Sequence, residues 1–177
     1  AIGAGNDERG HGAGAAGTSP AAKRRLEVLK DCGMSGEVEY ICDGAKRLAL
    51  IIRDARTSNR VEFFSEQTDA LQVGAFSMAQ GQEIAPHVHQ VYHRSLERTA
   101  EVLVMQAGRM RVDFYSGEKA YLQSREISAG DVIVLFDGGH GFTMLDDVRM
   151  LEIKQGPYGG EQDKVRFVRP ADLSTPI

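Results

Sequence analysis

"EVLVMQAGRMRVDFYSGEKAYLQSREISAGDVIVLFDGGHGFTM" spans Glu101–Met144, and its reading decides the fold. In "RMRVDFY", Met110, Val112 and Phe114 alternate with Arg109, Arg111 and Asp113, the two-residue period of a strand with one buried face. "EVLVMQAG", "YLQSREI", "DVIVLF" and "GFTML" are further short strand-like runs, and "SGEK", "SAGD" and "DGG" separate them as turn signals. The pattern continues outward through "EVEYIC", "RLALIIR", "VEFF" and "LQVGAFSM" upstream and "VRMLEIK" downstream. Roughly eight to ten short strands with little helix between them predict an all-β sandwich or barrel. Leu103, Met105 and Phe114 are expected in its core, and Asp131 in a turn.

The ends read differently. Residues 1–20 are nearly all Gly, Ala and polar, a composition that cannot offset its ordering entropy, so a disordered tail carrying a solvated His11 is expected. Residues 21–33 then predict a short amphipathic helix. Ser19 caps it, Pro20 suits the first turn, Leu26 and Leu29 share a face, and Gly33 ends it. The barrel is expected over 38–170. "GPYGG" at 156–160 closes the last strand, with Tyr158 over a barrel end or a subunit contact.

Charge narrows the function classes. There are 25 acidic and 21 basic residues, a net charge of −4, with no Lys/Arg-rich block, which argues against a nucleic-acid binder. No apolar run is long enough for a membrane span, and the N-terminus lacks a signal-peptide layout. Cys32 and Cys42 lie outside any CxxC spacing and are expected as free thiols in a reducing cytoplasm, with a disulfide between them as the open alternative.

Histidines carry the chemistry. His87, His89 and His93 fall in "PHVHQVYH", His140 follows in "DGGHGF", and Glu101 opens a strand. On a strand, His87 and His89 would point to one face. Imidazoles and one carboxylate form a mixed N/O set that suits Fe(II), Mn, Ni, Zn or Cu with positions left open.

These residues resemble the cupin superfamily. Its first motif is G-x5-H-x-H-x3-4-E-x6-G; here Gly81 precedes His87 and His89 at that spacing, and Glu101 precedes Gly108. The gap from His89 to Glu101 is eleven residues, "QVYHRSLERTA", rather than three or four. The second motif is G-x5-P-x-G-x2-H; here Gly130 and Gly138 are in place, Phe136 stands for Pro, and His140 arrives one residue early. The resemblance covers about Val38 to Phe167. It implies a double-stranded β-helix (jelly-roll barrel), a homodimer, and one divalent metal, Fe(II) first, on His87, His89, Glu101 and His140. "GGHGF" and "EIKQGPYGGEQDKVRF" also look like a subgroup of small single-domain cupins encoded near polysaccharide or nucleotide-sugar genes.

His93 stands where the family's usual spacing places its glutamate; it is a ligand in place of Glu101, a residue beside the site that moves a proton, with Tyr92, or simply solvent-exposed, and the last two are favoured because Glu101 has the six-residue spacing to Gly108. Arg94 and Arg98, four apart in the inserted loop, could grip a carboxylate or phosphate; a solvated loop is the plain alternative. The leading expectation is a metal-dependent dioxygenase or sugar-type isomerase acting on a small polar molecule. A metal-free cupin epimerase fits less well because the full ligand set is present. A metal-binding sensor or storage protein, and a structural partner in a biosynthetic complex, stay open.

Overall fold

The computed structural model describes residues 34–35, 37–55 and 62–171. The expected tail over 1–20 and helix over 21–33 lie outside them, as does Cys32. Eleven strands are described, all paired antiparallel. They are β1 (Met34–Ser35), β2 (Val38–Asp43), β3 (Lys46–Ile52), β4 (Glu62–Phe63), β5 (Gly74–Ala75) and β6 (Glu101–Ala107). β7 (Arg109–Tyr115), β8 (Tyr121–Ser128), β9 (Val132–Leu135), β10 (Gly139–Met144) and β11 (Arg149–Lys154) follow. One sheet has the order β1-β2-β3-β9-β6-β11 and a second has β10-β7-β8, with β4-β5 as a small hairpin. The two larger sheets do not close into a barrel.

The main core lies where the large sheets face each other. Ile41, Ala49, Ile51, Leu103, Met105, Ile133 and Leu135 come from the six-stranded sheet, and Met110, Val112, Phe114 and Ile127 from the three-stranded one. Leu103, Met105 and Phe114 are buried, as their alternation predicts. Each such side chain contributes about 1.5–3 kcal/mol on burial. A second cluster explains why β3 reads as a nearly unbroken apolar run. Val38, Leu50, Ile52 and Val134 occupy the other face of the six-stranded sheet, where Phe64 and Val73 cover them. The Arg47 guanidinium ties that cover down, bonding Asp69 and stacking 4.9 Å from the Phe136 ring centroid.

Two glycines make the connections that bring distant strands together. Gly108, between β6 and β7, has φ +77, and a Cβ there would stand 2.2 Å from the Asp147 carbonyl oxygen. Gly138, just before β10, has φ +71, and a Cβ would meet the Tyr115 carbonyl oxygen at 2.5 Å. Asp131 does more than make a turn. Its Oδ1 accepts from Asp54 N–H, and its Oδ2 accepts from Ser128 N–H and from Arg53. Arg53 and Arg125 then both hold buried Glu39, so this cluster links β2, β8 and the β8–β9 turn.

Several expectations are corrected. "LQVGAFSM" supplies only the two-residue β5. Residues 76–100 form no strand, and 76–99 are exposed throughout. Among the described residues, 83–98 make no backbone–backbone hydrogen bond, so His87 and His89 are not held on a strand. Strand character needs a ladder partner, which alternation alone does not provide. Arg111 and Asp113 do not face solvent. Both are buried, so β7 is covered on both faces. Cys42 is disulfide-bonded rather than a free thiol. That removes the thiol argument for a reducing compartment. No helix among the described residues is long and apolar enough to cross a membrane.

Candidate functional site

At one end of the two facing sheets, a cleft of about 1130 Å³ opens. Its floor is built by strand parity. Glu101 begins β6 two residues before core residue Leu103, so it points into the same layer. His140 lies opposite core residue Phe114 across the β10–β7 ladder, so it points into that layer from the other sheet. The two side chains meet with His140 Nε2 3.2 Å from Glu101 Oε2. Glu101 is 13% exposed and His140 28%, sheltered yet reachable from the cleft. The Phe142 ring lies 5.3 Å from the His140 ring and forms an apolar wall.

The electrostatics favour the ionised carboxylate. The hydrogen bond from His140 holds Glu101 below the usual carboxylate range. Partial burial opposes that, while the nearby charges of His140, Lys164 and Lys154 add to it. The pair therefore presents one carboxylate oxygen and one imidazole nitrogen to the cleft.

Two further groups shape the cleft. At its rim, Asp137 Oδ2 accepts from Arg98 Nε at 2.9 Å and from Lys46 Nζ at 2.8 Å. The second wall is the C-terminal segment. Phe167 packs edge-on against Tyr115 at 5.0 Å, and Arg169 reaches Asp113 Oδ2 at 3.1 Å. Asp113 is fully buried and also pairs with Arg111 and accepts from Ser124. Burial, followed by the charge of Asp113, raises the Tyr115 pKa, and Arg169 offsets part of that rise.

The sequence-predicted residues divide cleanly. Glu101, His140 and Arg98 line the cleft. His87, His89, Tyr92, His93 and Arg94 do not line it and stay exposed on the irregular segment. The His87 and His89 rings are 5.2 Å apart, and Arg94 folds back over the Tyr92 ring at 5.1 Å. Two of the four implied ligands therefore converge. No group of three or more His, Cys, Asp or Glu among the described residues could hold a metal ion as arranged. A four-donor centre does not fit this arrangement without the "HVH" pair.

Sequence reading missed Tyr115, Phe142, Phe167 and Arg169 as cleft residues. "VRFVR" at 165–169 does not alternate, so no local pattern marked that segment as part of the cleft.

Comparisons with known proteins add no relative. No family model matches the sequence, and neither the curated proteins nor the solved structures give a significant match.

Proposed function

We propose that this chain is a cupin-like, small-molecule-binding protein of the jelly-roll type whose working centre is the Glu101–His140 pair, and that it acts as a metal-dependent enzyme on a small polar substrate. The observation that carries the reading is that Glu101 and His140 point inward from separate sheets and meet 3.2 Å apart in the cleft. A carboxylate and an imidazole placed together in a sheltered cleft are a sound start for a mixed N/O site.

A divalent metal at such a site supplies Lewis acidity or, as Fe(II), redox chemistry. Glu101 and His140 are the protein's own donors toward it. Phe142 excludes water on one side. Arg98 stands at the rim, where its guanidinium can turn from Asp137 toward an anionic group of the substrate.

One observation favours a second reading. Glu101 and His140 already satisfy each other by a hydrogen bond, the arrangement of a metal-free acid–base pair. Metal content of protein purified anaerobically separates the two. Near-stoichiometric metal that disappears in His140→Ala supports the metal site. Metal no higher than trace sinks it and leaves the acid–base pair. Where metal is found, oxygen consumption or isomerisation across a panel of small acids and sugars marks an enzyme; binding without turnover marks a sensor or storage protein.

A further inference from the structure

The cleft carries two positive charges that its central pair does not use. Of the described lysines, Lys46 and Lys154 form ion pairs, whereas Lys119 and Lys164 line the cleft and form none. The lining arginines are engaged: Arg98 holds Asp137, Arg166 pairs with Glu161, and Arg169 holds Asp113 and Thr143. Most lining carboxylates are engaged as well. Glu101, Asp137 and Asp163 have partners in His140, Arg98 and Thr99, which leaves Glu97 as the one lining acid without one among the described residues. Two free ammonium groups thus stand in the cleft of a chain whose net charge is −4.

Anchored backbone carries both lysines. Lys119 sits in the β7–β8 turn at φ +70, a left-handed conformation that residues other than Gly, Asn and Asp seldom adopt. Ser116 ties this turn. Its carbonyl accepts from Lys119 N–H at 3.0 Å, and its hydroxyl accepts from the N–H groups of Glu118 and Ala120. Lys164 has extended backbone between two fixed points. Asp163 before it accepts from Thr99 at 3.1 Å, and Phe167 after it packs on Tyr115. Tyr115 directly precedes Ser116, so that ring contact sets the turn and the C-terminal segment side by side. Lys164 stands three residues before Phe167 (167 − 164), roughly 10 Å of extended chain, so both lysines border one end of the cleft.

We propose that Lys119 and Lys164 form a subsite for the phosphate group of a small phosphate monoester, whose remainder extends along the cleft toward Phe142 and the Glu101–His140 pair. Two ammonium groups match the charge of such a group, about −1.5 to −2 at pH 7. Lysine binds phosphate as a point charge, whereas a carboxylate is best gripped by a guanidinium fork, and the forks here are already engaged. The proposal rests on the reading of the cleft as a small-molecule site and adds the class of molecule. It does not depend on a metal at the pair.

NMR titration of the isotope-labelled full chain with glycerol phosphate, glycerate and glycerol, with no metal added, tests this. Glycerol phosphate is expected to shift amides of 116–119 and 162–167 and to bind at least about tenfold tighter than glycerate, with glycerol moving neither segment. Lys119→Gln and Lys164→Gln should each weaken it about three- to tenfold. Both side chains are exposed, so thermal unfolding should not change. Unchanged affinity in the double variant, with loss in Arg98→Gln instead, overturns the subsite and returns anion binding to the rim. Glycerate binding as tightly as glycerol phosphate overturns the phosphate assignment. If none of the three binds, the subsite is wrong, while the metal measurement on the Glu101–His140 pair decides that reading separately.

Discussion

Glu101 Oε2 and His140 Nε2 lie 3.2 Å apart, although their residues sit on different sheets. If this contact is a working site rather than a brace, neutralising it costs little stability. Glu101→Gln is expected to change unfolding free energy by about 1 kcal/mol or less, in the range of ordinary surface changes. Leu103→Ala, two residues along the same strand face and fully in the core, is expected to cost about 2–5 kcal/mol. Urea titration of both variants checks this, and an equal loss in the two would make the pair structural.

Glu39 provides a pH test away from the cleft. Burial works against its charge, but the hydrogen bonds and charges of Arg125 and Arg53 prevail and lower its pKa from 4.5. A lowered folded value means stabilisation that is complete above the unfolded pKa and lost as pH falls through the folded one. Glu39→Gln is therefore expected to cost about 1–3 kcal/mol at pH 7. The gap to the parent protein should shrink below about pH 4. A gap that stays constant from pH 7 to pH 3 contradicts the assignment.

Arg47 is the fastener of the β4–β5 hairpin. It bonds Asp69, lies 3.9 Å from Glu66, and stacks on Phe136. Arg47→Ala should open this cover locally, with a loss of about 1–3 kcal/mol. Faster hydrogen exchange over 62–75, with β7 and β8 unchanged, is the expected readout.

Gly138 sets the approach to His140. Gly138→Ala adds a left-handed penalty of about 1–2 kcal/mol, and its Cβ would stand 2.5 Å from a backbone oxygen. A loss of at least about 2 kcal/mol is expected. Gly117→Ala, where nothing lies within 4 Å, should stay within about 0.5 kcal/mol. Thermal unfolding of the two variants separates them.

Much of this was legible in the chain. Alternation at Met110, Val112 and Phe114 marked the core face of β7 correctly. The spacing that picked out Gly81, Gly108, Gly130 and Gly138 picked four glycines that all have positive φ. Glu101 and His140 were identified with their strands. What failed depends on partners. "PHVHQVY" alternates like a strand, yet a strand exists only with a neighbour to bond, and the sequence does not say whether that neighbour is taken. Asp113 read as a solvent residue because its alternation placed it opposite the core. It is buried among Arg111, Ser124 and Arg169, the last 56 residues later (169 − 113), whose approach no local pattern encodes. The disulfide at Cys42 was ranked second to free thiols because compartment rules, not geometry, decided that expectation.

The central claim is that Glu101 and His140 are the kernel of a metal site. Zn(II) titration of the metal-stripped full chain, parent against His140→Ala, tests it most directly. The account predicts one site per chain in the parent and a loss in the variant larger than the roughly ten- to hundredfold that follows removal of an outer supporting residue. Equal stoichiometry and affinity in the two proteins would contradict it.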